Sequence, residues 1–365
     1  MLRHIAWRSG RSLAGGAATL AAAGTAVTFL RGTPVLAVVL GLGTLTALYC
    51  LALMSVPERL VGWMLLVPAL FALLATTAVP IGYMLVTSVY DVGLTTFQYT
   101  WRYVGLRNYG DLLRRDPQLW PTLWRTCEYL VFGLSLQVGL GLGLALLLNR
   151  DFPWKRLAQT ILVFPVLTTP VVVAMLWKYL FDVQTGLINQ TLGLFGIDPQ
   201  PWLSVQPLPG ISAIPWIGTW LADVGNFTYG FWAIILVTTW QWAPFCFLVL
   251  YAGLVSLPQE PFEAARIDGA SAWQAFRYLT LPLLLPLILV VTLLRMIDLL
   301  KVYAQIWVLF GNLVNTRVLN IHLYTLGLGT HEYSKASALG ILTLLAILAF
   351  TWLLLPWIHG ERVKR

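Results

Sequence analysis

The sequence predicts an all-α integral membrane protein with about eight transmembrane helices. Of its 365 residues, 58% are hydrophobic and only 10% are charged, whereas a soluble domain carries about 25% charged residues. A helix needs about 20 apolar residues to cross a bilayer. Eight segments reach or approach that length: 13–30, 35–56, 61–88, 124–148, 157–181, 227–256, 282–310 and 334–358.

The N-terminal region supplies the first two of these segments. Residues 1–23 have a basic start and an Ala-rich stretch, which is also the pattern of a cleaved signal peptide. A second apolar segment follows at once, and this favours an uncleaved membrane anchor. We therefore expect residues 1–60 to form an N-terminal pair of transmembrane helices.

The distribution of basic residues predicts how the chain is oriented. With a cytoplasmic N-terminus, the cytoplasmic segments are 1–12, 57–60, 149–156, 257–281 and 359–365, and the outer loops are 31–34, 90–123, 182–226 and 311–333. The first set holds 12 Lys and Arg in 56 positions, and the second holds 6 in 106. Because cytoplasmic loops carry the excess of positive charge, both termini are expected in the cytoplasm. The segment 102–115 runs against this rule, since it places four arginines outside.

The net charge of +8 fits cytoplasmic loops beside anionic lipid, so we expect membrane lipid and no nucleic acid as a partner. The outer loop 182–226 contains five prolines and three tryptophans. Such a segment cannot be a regular helix, and we expect an ordered cap that lies over the outer face or meets a partner.

The polar loop 257–281 predicts a short helical hairpin along the membrane surface. Pro258 and Pro261 suit the first turn of a helix, and Gly269 can take the left-handed conformation that ends one. Ser271 and Gln274 then form a capping box for a second short helix. Pro282 is expected to end that helix and admit the next span.

The same loop resembles the EAA loop of permease subunits in binding-protein-dependent ABC importers of the sugar type. Glu263, Ala264 and Ala265 are followed by Gly269 and closed by Leu281-Pro282. Weaker supporting stretches are 104–109, 144–150, Trp240 with Pro244-Phe245, and 295–298. The chain departs from the family in two places. Gly311-Asn312-Leu313-Val314 replaces the usual Gly-Gly-Gly-Pro turn, and residues 199–219 read as an insertion.

The resemblance implies a six-helix permease core over residues 61–358, preceded by the two extra helices and followed by a cytoplasmic tail at 359–365. It implies that the cytoplasmic loop couples the chain to an ATPase through Glu263, Ala264, Ala265, Asp268 and Gly269. It further implies a second permease subunit, two ATP-binding subunits and an extracytoplasmic solute-binding protein as partners. The location implied is a prokaryotic inner (plasma) membrane.

The sequence also predicts that this chain is not itself an enzyme. None of its five lysines follows a glycine, so there is no Walker A sequence, and no His-Glu-x-x-His is present. Cys50, Cys127 and Cys246 give no disulfide or metal pattern. We therefore expect no cofactor or metal in this chain, with ATP and Mg²⁺ bound by the partner ATPase subunits.

Polar and aromatic side chains inside the predicted spans are candidates for the solute path. Arg295, Asp298 and Lys301 lie three residues apart on the seventh span, which puts them in one stripe. They form either a structural ion network or a wall of the path. The aromatic and amide candidates, which suit sugar faces and hydroxyls but equally an interfacial aromatic belt, are Trp240, Gln241, Trp242, Tyr303 and Trp307.

Three remaining patterns have competing interpretations. Gly139, Gly141 and Gly143 lie inside a span, so close helix packing is favoured over a nucleotide loop. A proton-coupled secondary transporter would need buried carboxylates, for which Asp298 and Glu128 qualify. A membrane-embedded transferase or hydrolase would need a base, for which His322 and His331 are the candidates.

Overall fold

The structure, a computed structural model, describes residues 57–92, 101–211, 214, 218 and 227–358. The first two predicted spans and the tail at 359–365 lie outside these residues. The chain divides into two compact units, Met1–Tyr83 and Met84–Arg365. The boundary falls within the first described helix, α1 (Glu58–Val89).

The described residues are mostly helical. After α1, a two-stranded antiparallel ribbon pairs β1 (Tyr90–Asp91) with β2 (Arg102–Tyr103). The helices that follow are α2 (Arg107–Arg115), α3 (Leu119–Leu148), α4 (Lys155–Leu167), α5 (Pro170–Leu180), α6 (Leu187–Gly193), α7 (Tyr229–Val255), α8 (Glu260–Ile267), α9 (Ala272–Ala275), α10 (Leu281–Leu300), α11 (Ala304–Phe310), α12 (Leu319–Tyr324) and α13 (Tyr333–Ile358). Short π-helical turns follow α9 (Phe276–Thr280) and α12 (Thr325–Gly329), and a 3₁₀ turn spans Val314–Thr316.

Five helices of the described part are long and apolar enough to cross a membrane, and the bent pair α4–α5 raises the number to six. The straight candidates are Leu66–Val89, Leu119–Leu148, Tyr229–Val255, Ala272–Leu300 and Tyr333–Leu353. An all-α, multi-pass membrane fold is thus confirmed, whereas the expected total of eight spans depends on residues outside the described ranges.

Helix α7 forms the centre of the second unit, and most of its residues are buried against α3, α4 and α10. It packs tightly against α3 at Gly141, where a Cβ would lie 2.4 Å from Cys246 Cβ. The largest buried apolar cluster joins α3, α5, α7, α10 and α11 and includes Tyr129, Phe181, Ile234, Val237, Leu299 and Ile306. This packing fixes the positions of the polar residues that α7 and α10 carry.

The predicted span 157–181 is not one continuous helix. Helices α4 and α5 meet at a bend of 102°, and Thr168 at the junction has an extended backbone with ψ 138°. Pro170 begins α5. A proline disfavours the helical conformation of the preceding residue and cannot donate a backbone hydrogen bond, which explains the break at this point.

The predicted span 282–310 is also wrong, at both ends. Its outer end breaks at Leu300, and a short separate helix, α11, follows at Ala304. At its other end, α9, the π-helical turn and α10 run as one helix from Ala272 to Leu300. Pro282 therefore does not end the second helix of the hairpin. The π-helical turn, in which the Leu281 N–H bonds to Phe276 O, carries the helix past the proline.

The described part of the outer loop 182–226 is ordered, as its composition predicted. Asn189 on α6 is its anchor: the side-chain Nδ2 donates to Gln200 O at 3.0 Å, and Oδ1 accepts from Trp202 Nε1 at 2.9 Å. The Trp202 ring stacks on Phe181 with centroids 5.7 Å apart. Residues 199–204 are thereby held against α6 and the C-terminal end of α5.

Candidate solute path and coupling surface

A cavity of about 390 Å³ lies where α3, α5, α7, α10 and α11 meet. Its lining includes Tyr129, Pro170, Trp242, Arg295, Asp298, Lys301, Tyr303 and Gln305. Both helix breaks reach this cavity, because Pro170 follows the first break and Tyr303 precedes α11 at the second. Discontinuous helices of this kind form the solute sites of many transporters.

Arg295 is the buried centre of a polar network beside the cavity, with 1% of its side chain exposed. Its Nε donates to Gln137 Oε1 at 3.0 Å, and its Nη1 donates to Asp298 Oδ2 at 2.9 Å. The guanidinium also lies 4.3 Å from the ring centroid of Trp242. Three protein groups therefore compensate this cation, as a charge inside a membrane requires.

Asp298 and Lys301 present the opposite situation, because about half of each side chain is exposed. Lys301 Nζ lies 3.5 Å from Asp298 Oδ1. The predicted arrangement of Asp298 between two cations is confirmed. The stripe is thus a structural network at Arg295 and an accessible pair of opposite charges at Asp298 and Lys301.

The aromatic candidates separate into two groups. Tyr303 stacks on Trp307 with centroids 5.5 Å apart, and Tyr324 contacts both rings at 4.8 and 4.9 Å. Only Tyr303 of the three lines the cavity. Trp240 instead lies beside Trp177 in a separate apolar groove of about 830 Å³ between α3, α4 and α7.

Gln241 is fully buried and does not reach the cavity wall. Its Nε2 donates to Thr168 O at 3.0 Å, and its Oε1 accepts from Gln305 Nε2 at 2.9 Å. The sequence identified neither Gln137 nor Gln305 as part of this region. A polar amide within a long apolar span is the signal that could have found them.

The turn between α8 and α9 forms as the sequence predicts, whereas Pro258 lies before α8 and α9 is the start of the long helix that ends at Leu300. Gly269 has φ +77°, which an L side chain rarely adopts. Ser271 Oγ accepts from the Gln274 N–H at 3.3 Å, and Gln274 Oε1 accepts from the Ser271 N–H at 2.7 Å, so the capping box is formed. Pro261 lies in the first turn of α8.

Four of the five proposed coupling residues are exposed: Glu263, Ala264, Asp268 and Gly269. Ala265 is half-buried and lines a cavity of about 510 Å³ that also includes Asn149 and Arg150 of the preceding polar loop. The sequence missed the exposed apolar side chains of this region, Ile267, Trp273 and Tyr278, of which Ile267 is 86% exposed. An isolated apolar residue in a polar loop was the available signal.

Of the two candidate histidines, His322 is not an accessible base. His322 is 2% exposed and its Nε2 lies 2.8 Å from Asp116 Oδ2, while Asp116 Oδ1 accepts from the Gln118 N–H at 2.8 Å. The pair holds α12 against the start of α3. His331 Nδ1 lies 3.2 Å from the Tyr333 hydroxyl. Among the residues that the structure describes, no group of His, Cys, Asp and Glu is arranged to hold a metal ion.

A multi-pass helical bundle with a polar cavity at two broken spans, and an exposed helical hairpin on a polar loop, define a membrane transport subunit. Residues 137–355, which contain nearly all of these features, match the family described as "Binding-protein-dependent transport system inner membrane component". The chain belongs to this family. It is an ABC transporter permease subunit of the multi-pass inner-membrane type and not itself an enzyme.

Curated relatives match over most of their length. The chain is 32% identical over 300 residues to the trehalose/maltose transport system permease protein MalF of Thermococcus litoralis, covering 80% of this chain and 92% of the relative. It is 31% identical to the probable ABC transporter permease protein y4oQ of Sinorhizobium fredii (78% and 85% covered). It is 30% identical to the trehalose transport system permease protein SugA of Mycobacterium tuberculosis (84% and 89% covered).

Solved structures share the fold. A chain of a bacterial alginate ABC transporter, crystallised with a periplasmic protein bound to an alginate pentasaccharide, superposes with a TM-score of 0.64 at 23% identity. The match covers 81% of this chain and 94% of the other. A second crystal structure of an alginate importer gives a TM-score of 0.63. These matches support the helical architecture described above.

Proposed function

We propose that this chain forms the translocation path for a sugar or a related polar solute. The observation that carries the proposal is the cavity at the two helix breaks. It offers a carboxylate and an ammonium group, Asp298 and Lys301, beside the aromatic face of Tyr303. Sugars bind to aromatic faces and to a few placed polar groups. Three of the similar permeases are named for trehalose, maltose or arabinooligosaccharides.

The proposed architecture has eight transmembrane helices, namely the N-terminal pair in residues 1–60 and a six-helix core at 61–358. Both termini face the cytoplasm, and the membrane is the inner (plasma) membrane of a prokaryote. The charge bias of the loops supports this orientation. Two of the arginines that run against the bias, Arg107 and Arg115, pair with Asp111 on α2.

The proposed partners are a second permease subunit, two ATP-binding subunits and an extracytoplasmic solute-binding protein. ATP and Mg²⁺ bind to the ATPase subunits and not to this chain. The hairpin of α8 and α9 sits in a cleft of an ATPase subunit, and the residues that contact the cleft are Glu263, Ala264, Ala265, Asp268 and Gly269. The exposure of four of these residues on one short segment supports this contact. Closure of the ATPase pair opens the permeases outward, and hydrolysis resets them inward.

Two variants test the coupling part of this proposal. Glu263→Lys reverses an exposed charge on α8, and Gly269→Pro forces a residue with φ fixed near −65° into a position with φ +77°. Both should abolish uptake while the chain stays in the membrane. Arg156→Glu, a charge reversal at an exposed residue of another cytoplasmic loop, is the matched control and should leave uptake intact. Normal uptake by both hairpin variants would refute the proposed coupling role of the hairpin.

Two binding measurements complete the test. A tag on this chain should co-purify a P-loop ATPase and a second permease from native membranes, and transport by this chain alone would refute the assembly. Titration of the cognate solute-binding protein against a panel of neutral sugars, acidic sugars and glycerol phosphate should give a sugar as the tightest ligand.

A further inference from the structure

We infer that Gln241 and Gln305 are positioning residues of the solute path: a buried relay of two side-chain amides ties together the two helix breaks that wall the cavity. The inference rests on the proposed function of that cavity, and it assigns these glutamines a role that does not require contact with the solute.

The first break leaves a backbone carbonyl without a helical partner. Thr168 has an extended backbone, and the bend of 102° turns its carbonyl out of the α4 ladder. Inside a membrane an irregular backbone is tolerated only where the protein supplies the missing hydrogen bonds. Gln241 does so from the middle of α7, through Nε2 at 3.0 Å from Thr168 O.

The second break is joined to the first by the same glutamine. Gln305 is the second residue of α11, and its Nε2 donates to Gln241 Oε1 at 2.9 Å. Both side chains are at least 95% buried. The freed carbonyl of Lys301 at this break accepts from Asn320 Nδ2 at 2.9 Å. Each break is therefore satisfied by an amide from another element.

The two half-helices beyond the breaks form one packed pair. Helix α5 lies against α11, and Lys178 Nζ on α5 donates to Val308 O on α11 at 3.1 Å. The relay joins this pair to the continuous helix α7 through Thr168, just before α5, and Gln305, at the start of α11. Both connections lie at the end of the pair that is nearest the cavity. Since Pro170 and Gln305 line the cavity, a movement that carries Thr168 or Gln305 away from Gln241 breaks the relay and reshapes the cavity. The relay holds the cavity in the present conformation.

The test uses the complete complex, purified through a tag on this chain and reconstituted in lipid nanodiscs. The variants are Gln241→Leu, Gln305→Leu and the double variant. The matched control is Thr239→Val, which alters a buried neighbour on α7 whose hydroxyl has no hydrogen-bond partner. Each is combined with Ala304→Cys, a cavity-lining reporter, in a background where the three native cysteines are alanine.

Two quantities are measured besides uptake. One is the rate at which a small thiol reagent labels Ala304→Cys without nucleotide, and the other is the ratio of ATPase activity with and without the solute-binding protein. We expect Ala304→Cys to be labelled several-fold faster in both glutamine variants. We also expect both variants to lower the ATPase ratio by about fivefold or more, which is the lower end of typical coupling between sites. The double variant should give the same labelling rate and the same ATPase ratio as each single variant, because the two hydrogen bonds form one chain and losing either one breaks it. Thr239→Val should change neither quantity.

Labelling rates equal to the control in both glutamine variants would overturn the relay. If the leucine variants do not assemble, Gln241→Met decides the matter: it is close to glutamine in length and removes both hydrogen bonds of the relay, so faster labelling is still expected and an unchanged rate refutes the relay. A wild-type complex whose ATPase ignores the solute-binding protein would contradict the proposed function, while the labelling comparison would still decide the relay.

Discussion

Arg295 and Asp298 are joined at 2.9 Å across one turn of α10, yet only 1% of the arginine side chain is exposed against 46% of the aspartate side chain. The arginine makes its contacts within the protein. The aspartate lines the cavity, and Arg295 and Lys301 compensate its charge. If the proposed solute enters this cavity, Arg295 acts on it through Asp298. It fixes the carboxylate in place, and Asp298 is the group that can contact what enters.

This relationship predicts unequal costs for two methionine substitutions. Arg295→Met leaves the buried Gln137 oxygen without its donor, and we expect it to lower the free energy of unfolding by about 2 kcal/mol. Lys301→Met removes a cation whose side chain is 64% exposed and should cost about 1 kcal/mol or less. Thermal unfolding of the two variants in the same nanodiscs measures the difference. Equal midpoints would show that the buried network contributes nothing beyond a surface pair.

Three of the four glycines of α3, Gly139, Gly141 and Gly143, predict a second contrast. A Cβ at Gly141 would lie 2.4 Å from Cys246 Cβ and 2.9 Å from the Phe247 nitrogen, so Gly141→Ala must push α3 and α7 apart. Overpacking of this kind costs about 1–3 kcal/mol.

Gly139→Ala and Gly143→Ala are the built-in controls, since nothing lies within 4 Å of a Cβ at either position. These two should be neutral or stabilise the helix by up to about 1 kcal/mol. Thermal unfolding again provides the measurement, and a loss of stability in all three variants would contradict a packing role confined to Gly141.

His322 predicts a pH dependence of stability. Burial lowers the pKa of His322 below its ordinary value of 6.5, and Arg317 lowers it further, against the opposing effects of Asp116 and Glu332. The folded protein therefore holds the imidazole neutral. Below about pH 6.5 the unfolded chain binds a proton that the folded chain resists, so stability falls as pH falls.

The measurement is the unfolding midpoint between pH 7.5 and pH 5. His322→Gln keeps a side-chain N–H donor for Asp116 but cannot titrate, so its midpoint should fall less steeply over this range. Parallel curves for the two proteins would exclude His322 as the origin of the acid sensitivity.

The sequence could predict the hairpin of α8 and α9 because every signal there is local. Pro261, Gly269, Ser271 and Gln274 each act on the backbone within four residues of themselves, and all four behave as expected. The helix breaks could not be predicted in the same way. Pro170 starts a new helix after a sharp bend, whereas Pro282 lies inside a helix that continues.

The difference between these prolines lies in contacts that are distant in sequence. The bend at Thr168 is satisfied by Gln241, 73 residues away. Arg295 is likewise held by Gln137, 158 residues away. The sequence marked Arg295, Asp298 and Gln241 as notable polar residues in apolar spans, but it could not tell which of them would face the cavity. That assignment depends on the rotation of each helix, which tertiary packing decides.

The exposed side chain of Ile267 gives a last prediction, about the coupling surface. Because Ile267 is 86% exposed, it contributes little to packing within this chain, and it lies at the end of α8 next to Asp268 and Gly269. If the hairpin enters a cleft of an ATPase subunit, Ile267 is the apolar side chain available to be buried there. Ile267→Asp would then place a carboxylate in that contact at a cost of about 2 kcal/mol, or roughly 30-fold in affinity.

Leu194→Asp is the matched control, because Leu194 is 85% exposed on the outer loop. The amount of ATPase subunit that co-purifies with the tagged chain should fall for Ile267→Asp and stay constant for Leu194→Asp, while thermal unfolding of this chain alone should be unchanged in both. Co-purification that survives Ile267→Asp would mean that the ATPase contact lies elsewhere on the cytoplasmic side.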